Sequence, residues 1–274
     1  MLAEIGWTYL DPDLPPSAEQ RVINVGIREQ LLIGTTAGLA LAGMRPIAHT
    51  FPPFPIERPF EQIKIDLNHQ ELGAVLVSAS GSYGWPEGGQ THFGPRDVAL
   101  LDTLDGWTVH VPGHPDEAGA LLRMSVAAND RRYLRLDPES NSTARKDGLD
   151  RVVPVRTRGS ALVLAVGPTL ERVLAATDDL DVSVAYTATV RPLDAVGLRA
   201  LADRDVVIVE PYLAGTSAHR INEILGDRPH RLLSLGVQRV EHRRYGTIDD
   251  HHRLHGLDVA GIRRAILAFL DSGF

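Results

Sequence analysis

One carboxylate stands where a glycine turn opens an apolar helix, a setting that suits proton transfer. Residues 21–30 read Arg-Val-Ile-Asn-Val-Gly-Ile-Arg-Glu-Gln, which predicts a short buried strand from Val22 to Val25, a turn, and a helix beginning near Glu29. Residues 30–43 are almost uncharged, so most sides of this helix should be covered. Burying Glu29 unpaired would be costly, so it should bind a proton or hold a polar partner. The structural alternative is a glutamate that only complements the helix dipole.

Two aromatic rings follow on a loop stiffened by proline. Phe51 and Phe54 are three residues apart, and Pro52, Pro53 and Pro55 should prevent regular structure around them. Aromatic faces suit a flat heterocyclic ligand, so the two rings are candidates for a binding slot. Filling the core is the alternative for both.

Three further polar residues could contact a substrate. Ser80 precedes the segment 81–89, whose four glycines allow it to wrap a ligand, and His92 lies just beyond it. Imidazole can orient hydroxyl groups and move protons. Arg135 alternates with apolar neighbours on a predicted strand, 133–136, so its side chain takes the opposite face from theirs. The alternative for His92 is an ordinary surface or core histidine, and the alternative for Arg135 is an interdomain salt bridge.

The composition excludes several classes of function. The chain has 274 residues, 43% of them hydrophobic, with a net charge of −7, so nothing favours binding to nucleic acid or to an anionic membrane. There is no cysteine, which excludes thiolate ligands and nucleophiles. His251, His252 and His255 have helical spacing but no further ligand at a sensible distance, so we predict no metal site. Without a signal-like start or a membrane span, we expect a cytoplasmic protein.

Short apolar runs alternate with helical segments along the whole chain. After a possible strand at 2–10, strands are predicted at 45–50, 74–78, 107–111 and 133–136, and later at 161–166, 182–186, 206–209 and 232–235. This alternation predicts an α/β fold with parallel, doubly wound sheets. Residues 137–158 are polar and charge-dense. We therefore expect one domain at 1–140, a linker at 141–158 and a second domain at 159–274.

The motifs resemble the transketolase family in their order and spacing. The likeness rests on Asn-Val-Gly-Ile-Arg-Glu-Gln at 24–30, Thr-Phe at 50–51 with Phe54, Glu-Gln-Ile at 61–63, and Gly-Gln-Thr-His at 89–92. It implies a pyrimidine-binding domain for thiamine diphosphate followed by a transketolase C-terminal domain. It also implies that Glu29 activates the cofactor and that Phe51 and Phe54 hold its pyrimidine ring. His92, Arg135 and Ser80 would then face a sugar phosphate substrate.

Several positions depart from the family pattern. Ser80 stands where many transketolases have a histidine, Gly88 where they have an aspartate that reads a substrate hydroxyl, and Phe93 where a second histidine is frequent. Glu57 replaces a further aromatic residue near the pyrimidine slot. The helix that normally precedes the first strand is also missing. These departures leave cofactor activation intact but put ordinary ketose phosphate specificity in question.

The sequence contains no Gly-Asp-Gly, the usual start of the magnesium-diphosphate motif. The resemblance therefore predicts the C-terminal subunit of a split enzyme, active only with an N-terminal subunit that holds Mg²⁺ and the diphosphate of the shared cofactor. Gly34 and Gly38 leave a flat apolar strip, so we also expect self-association as a homodimer, and a heterotetramer with the partner. A subunit related to deoxyxylulose-phosphate synthase, a 2-oxoacid dehydrogenase β-type subunit, and a noncatalytic scaffold or regulator are the alternatives.

Overall fold

Two five-stranded sheets form the frame of the protein. The computed structural model describes residues 1–3 and 21–272, so the strand predicted at 2–10 lies largely outside the described residues. The first sheet has four parallel strands and one antiparallel edge strand, in the order β1 (Ile47–Thr50), β2 (Val75–Ser78), β4 (Arg131–Arg135), β3 (Trp107–His110), β8 (Thr189–Arg191). The second sheet has the order β10 (Arg231–Val237), β9 (Asp205–Leu213), β6 (Ala161–Val166), β7 (Val182–Thr187), β5 (Val153–Arg156), with β5 antiparallel. The predicted α/β class is confirmed.

The elements of the first half follow the predicted alternation. In chain order they are α1 (Glu29–Leu41), β1 (Ile47–Thr50), a π-helical turn (Pro53–Glu57), α2 (Phe60–Gln62) continuing as a π-helix (Ile63–His69), β2 (Val75–Ser78), a 3₁₀ turn (Pro86–Gly88), α3 (Asp97–Leu101), β3 (Trp107–His110), α4 (Pro115–Ala127) and β4 (Arg131–Arg135). Every residue of β2 is buried, as expected for a parallel strand covered on both faces.

The second half repeats the pattern. Its elements are β5 (Val153–Arg156), β6 (Ala161–Val166), a 3₁₀ turn (Gly167–Thr169), α5 (Leu170–Ala176), β7 (Val182–Thr187), β8 (Thr189–Arg191), α6 (Ala195–Leu201), β9 (Asp205–Leu213), α7 (Ala218–Leu225), β10 (Arg231–Val237), α8 (Ile248–His255) and α9 (Val259–Asp271). β5 lies inside the range predicted as a linker and pairs with β7. β8 leaves the second half and pairs with β3 of the first sheet.

Two local predictions were wrong. Residues 22–25 are not a buried strand, because only Asn24 bridges to Leu2 and Ile23 is 41% exposed. The described chain offers a pairing partner on one side of this segment only. The prolines do not prevent regular structure, since Pro53–Glu57 forms a π-helical turn. Proline is tolerated in the first turn of a helix, where its missing N–H would lack a partner anyway.

The two halves meet at the carboxyl end of β9. The Leu213 amide donates to the Pro95 carbonyl at 2.8 Å, and Ser82 Oγ donates to the Pro211 carbonyl. The glycine-rich segment 81–94 is therefore supported by the second sheet. Among the residues described, no helix is both long and apolar enough to span a bilayer.

Candidate active site

Glu29 is the first residue of α1 and is 2% exposed. The polar partner expected for it is Arg58, whose Nη1 donates to Glu29 Oε1 at 2.7 Å. The same guanidinium lies over the ring of Phe54, 4.3 Å from the ring centroid. Nothing in the sequence spacing identified Arg58, because the two partners are 29 residues apart and on different elements.

Phe51, Phe54, Trp85 and His92 form an aromatic cluster. Trp85 stacks on Phe51 at 5.1 Å between centroids and 23° between planes. The ring of His92 meets Phe54 edge-on at 5.1 Å and Trp85 at 4.8 Å. The structure thus brings together three residues singled out from the sequence. Trp85 was missed, although a tryptophan in a glycine-rich segment is a usable signal of a ligand-facing ring.

The imidazole of His92 is oriented by the loop that carries it. Its Nδ1 lies 3.0 Å from the Gly88 carbonyl oxygen and 3.0 Å from Thr91 Oγ1. A carbonyl only accepts, so in this contact Nδ1 carries the hydrogen and the neutral ring presents Nε2 as the acceptor. This tautomer suits a group that takes a proton from a hydroxyl.

The structure explains the glycine at position 88. A Cβ added to Gly88 would lie 2.7 Å from Trp85 Cε3 and 3.0 Å from the Cβ of His92. An aspartate there would require Trp85 to move. Gly88 and Trp85 therefore form a matched pair, in which the indole takes the space that a side chain at 88 would use.

Arg135 lies in a buried ion-pair network. It ends β4 and is fully buried, with Nε donating to Asp97 Oδ2 at 2.8 Å and Nη2 to Ser82 Oγ at 2.6 Å. Tyr133 also donates to Asp97, at 2.6 Å. Burial raises the pKa of the nearby Asp137 to about 6, against the opposing charge of Arg135. The salt bridge of Arg135 is therefore with Asp97 of the same half of the chain, and the contact with the second half is a hydrogen bond to the Pro211 carbonyl at 3.4 Å. The phosphate contact stays a prediction.

Ser80 and Glu57 flank the aromatic cluster in the chain. Ser80 is half-buried, follows β2 and has a left-handed backbone, with φ of 61°. Its assignment to the substrate stays a prediction. Glu57 has a buried Oε1 without a hydrogen-bond partner, and Arg96 lies 3.6 Å from its other oxygen. Burial raises the pKa of Glu57.

The histidines near the C-terminus pack behind the glycine-rich segment. His251 and His255 stack on the ring of Tyr83 at 5.0 and 5.4 Å, and His252 Nε2 lies 3.1 Å from Glu139. Burial lowers the pKa of His255 to about 4. Within the described residues, no group of three or more ligating side chains could hold a metal ion.

The candidate residues gather at one edge of the first sheet. Phe51 directly follows β1, Ser80 follows β2, and Arg135 ends β4, so all three lie at the carboxyl ends of parallel strands. Ligands of open α/β sheets bind in this position. A buried carboxylate beside an aromatic cluster fits a flat, basic heterocycle that can donate a hydrogen bond. The buried carboxylate and the aromatic rings therefore fit the aminopyrimidine ring of thiamine diphosphate.

A family model described as "Transketolase, pyrimidine binding domain" matches residues 9–141. The chain belongs to the transketolase family. It is 48% identical to a 33.6 kDa protein of the fasciation locus of Rhodococcoides fascians, over 98% of this chain and 88% of that protein. It is 25% identical to one of the subunits of the apulose-4-phosphate transketolase of Actinobacillus succinogenes, over 86% and 77% of the two chains.

Other members of the transketolase family are longer. The chain is 30% identical to the 1-deoxy-D-xylulose-5-phosphate synthase of Thermus thermophilus over 91% of its own length, but it spans only 42% of that enzyme. A solved structure titled as a split gene transketolase in an inactive β4 tetramer superposes with a TM-score of 0.82 at 22% identity. The match covers 98% of this chain and 92% of that one, and it confirms the fold.

Proposed function

We propose that this protein is the pyrimidine-binding, C-terminal subunit of a two-component, thiamine diphosphate-dependent transketolase-like enzyme. The enzyme transfers a two-carbon ketol unit between sugar or sugar phosphate substrates. The observation that carries the proposal is a buried carboxylate, Glu29, 2% exposed, which Arg58 links to Phe54 of the aromatic cluster. A glutamate that only complements the helix dipole would be exposed to solvent and would not need to be buried.

The division between two subunits is supported by one of the relatives, which is named as a transketolase subunit and of which this chain covers 77%. We assign Mg²⁺ and the cofactor diphosphate to an N-terminal partner subunit, and the pyrimidine ring to Glu29 and the aromatic cluster. We further assign the domains to residues 1–140 and 159–274.

Thiamine diphosphate, when bound, would supply a carbon nucleophile for the carbonyl group of the donor. Glu29 accepts a hydrogen bond from the pyrimidine ring and shares a proton with it, in a site where burial keeps water away. Phe51 and Phe54 bind the ring by stacking. His92, with Nδ1 held by the Gly88 carbonyl, uses Nε2 to orient a substrate hydroxyl and to take its proton.

The test compares Glu29→Gln and His92→Ala in the complex reconstituted with the partner subunit. Glutamine keeps the size and one acceptor but cannot share the carboxyl proton, so deuterium exchange at C2 of the bound thiazolium should slow by about 10²–10⁴-fold. His92→Ala should lose turnover while most of the C2 exchange is retained. Glu61→Gln, an exposed glutamate paired with Lys64, serves as the control. Wild-type exchange in Glu29→Gln would refute the catalytic assignment.

A subunit of deoxyxylulose-phosphate synthase type is the second candidate. The segment Gly-Gln-Thr-His-Phe-Gly at 89–94 suits that branch, and those synthases are among the relatives. The reconstituted complex separates the two functions by its donor. Release of carbon dioxide from pyruvate in the presence of an aldose phosphate would favour the synthase reaction. Transfer from a ketose phosphate without carbon dioxide would favour the ketol transfer. Lack of both reactions would favour a noncatalytic role.

A further inference from the structure

Arg58 makes two contacts with the residues proposed to bind the pyrimidine ring. Its Nη1 donates to Glu29 Oε1 at 2.7 Å, and its guanidinium carbon lies 4.3 Å from the centroid of Phe54. A guanidinium is planar, carries N–H donors at its rim and stacks on aromatic faces. An aminopyrimidine that donates to a carboxylate while it stacks on a ring is likewise planar and likewise carries N–H groups at its edge.

We propose that Arg58 is an internal competitor for the pyrimidine subsite. It holds Glu29 and covers a face of Phe54, and it must release both when the heterocycle enters. This inference rests on the proposed function, because it takes Glu29 and Phe54 as pyrimidine ligands. It adds Arg58 as a residue that controls how readily Glu29 and Phe54 become free to bind the pyrimidine ring.

The burial of the two partners shows which one moves. Glu29 is 2% exposed and is fixed in the first turn of α1, whereas the side chain of Arg58 is 43% exposed. The Arg58 backbone is anchored, since its N–H donates to the Pro53 carbonyl at 3.0 Å. The long side chain can therefore turn outward into water without disturbing the turn that carries Phe54. When Arg58 leaves, its charge is solvated by water, so only Glu29 needs a replacement donor.

The competition also solves an electrostatic problem. A buried carboxylate without a partner is costly, so a subsite built around Glu29 needs a donor at all times. Arg58 supplies that donor from within the chain, and the pyrimidine supplies it when the ring is bound. The exchange replaces one planar hydrogen-bond donor on the face of Phe54 by another.

The experiment measures binding of the free hydroxymethyl aminopyrimidine of thiamine to the full chain by ligand-observed NMR titration. Arg58→Met keeps the apolar stem and removes the donors and the plane, so it should bind this probe about tenfold more tightly than wild type. Arg58→Lys keeps the charge but stacks poorly, and should fall between the two. Far-UV circular dichroism checks that each variant folds.

Lys64→Met is the matched control. Lys64 has a similar exposure of 47% and the same 2.7 Å ion-pair distance, but its partner Glu61 is 64% exposed and lies outside the subsite. This variant should bind the probe like wild type. An equal gain in both variants would show a general effect of lost positive charge, and would overturn the proposal.

The remaining outcomes separate this inference from the proposed function. Weaker or unchanged binding in Arg58→Met, with binding lost in Glu29→Gln, would make Arg58 a positioning residue rather than a competitor and leave the function intact. Probe binding that tolerates Glu29→Gln in the Arg58→Met background would count against Glu29 as the pyrimidine ligand. Failure of the probe to bind either wild type or Arg58→Met at millimolar concentration would also overturn the competition.

Discussion

Two arginine–carboxylate pairs in the first half of the chain have opposite burial. The pair of Arg58 and Glu29 has one partner near water, while Arg135 and Asp97 are both fully buried. A buried charge that loses its partner is strongly destabilising. The pair of Arg135 and Asp97 therefore stabilises the fold, whether or not Arg135 also contacts a substrate. The pair of Arg58 and Glu29 can open only when another donor replaces Arg58 at the buried carboxylate. The difference in burial therefore allows Arg58, but not Arg135, to give up its carboxylate partner to a ligand.

At the residue scale we predict that Arg135→Met destabilises the fold. The variant leaves Asp97 buried with only the Tyr133 hydroxyl and the Val98 amide as hydrogen-bond donors, and breaking such a pair costs about 3–5 kcal/mol. Urea unfolding measures the loss. Adding Asp97→Asn removes the stranded charge, so the double variant should lose less free energy of unfolding than the two single variants together. Unchanged stability in Arg135→Met, with weaker binding of sugar phosphates, would instead support the substrate assignment.

At the scale of elements, the segment 81–94 is shaped by the pairing of Gly88 with Trp85. Gly88→Asp restores the residue type common in the family but places its Cβ 2.7 Å from the indole. We expect a loss of about 1–3 kcal/mol in the free energy of unfolding, as for other overpacked sites. Trp85→Ala in the same chain should recover part of it.

The control for this cycle is Gly119→Asp in α4. A Cβ there would contact only Arg123 Nη1, at 3.5 Å, so the substitution should carry the cost of a helical aspartate without a clash. Strictly additive losses for Gly88→Asp and Trp85→Ala would show that the two positions do not share space, and would leave the glycine unexplained.

The end of β9 makes the stability of the protein depend on pH. Glu210 is fully buried, accepts from the Ser217 amide at 2.9 Å and from Ser234 Oγ at 3.2 Å, and burial raises its pKa to about 7. Glu210 therefore stays protonated in the folded state at pH values where it is already ionised in the unfolded state, in which its pKa is near 4.5. The contribution of Glu210 to the free energy of unfolding is fully present below pH 4.5 and is lost as the pH rises toward 7.

Glu210→Gln should remove this loss. Its amide keeps the acceptor for Ser217 and can donate to Ser234, so the variant should match wild type near pH 5 and exceed it by about 3 kcal/mol at pH 8. Chemical unfolding at the two pH values measures the difference. Glu223→Gln, 70% exposed on α7, should show no such trend. A variant less stable than wild type at pH 8 would mean that the charged form is the better packed one.

At the scale of the whole molecule, the alternation of apolar runs predicted both sheets. Runs of about four to eight apolar residues are too short for a buried helix and are typical of parallel strands that are covered on both faces. β6, at 161–166, was placed to the residue. The prediction failed where pairing is not local. β8 has three residues and joins β3, about eighty positions earlier, so no periodicity marks it.

The candidate site was predictable only where the family motif named its residues. Glu29, Phe51, Phe54 and His92 lie in such motifs, and the structure groups the three aromatic rings. Arg58 and Trp85 were missed because their role depends on the turn at 53–57 and the loop at 81–89 folding toward α1 and β1. The burial of Arg135 depends on β9, which arrives more than seventy residues later.

The last prediction concerns the outer face of α1. Leu31 and Leu41 of α1 are 49% and 70% exposed, and Ile27, just before the helix, is 56% exposed. A Cβ on Gly38 would meet nothing within 4 Å in the described chain. An apolar strip of this kind usually marks an interface, and the glycine is not needed for packing within the described chain. We therefore expect the isolated protein to be at least a homodimer at micromolar concentration, rather than a monomer of about 30 kDa.

Leu31→Lys should weaken this association, because it places a charge at the centre of the strip while α1 keeps its buried side of Leu32, Ile33 and Ala37. Sedimentation velocity should show a shift toward the monomer with an unchanged circular dichroism spectrum. Val196→Lys, on a residue that is 81% exposed in α6, is the matched control and should sediment as wild type. A wild-type protein that sediments as a clean monomer would contradict the interface. A dimer that persists in Leu31→Lys would place it elsewhere, away from the helix that carries Glu29.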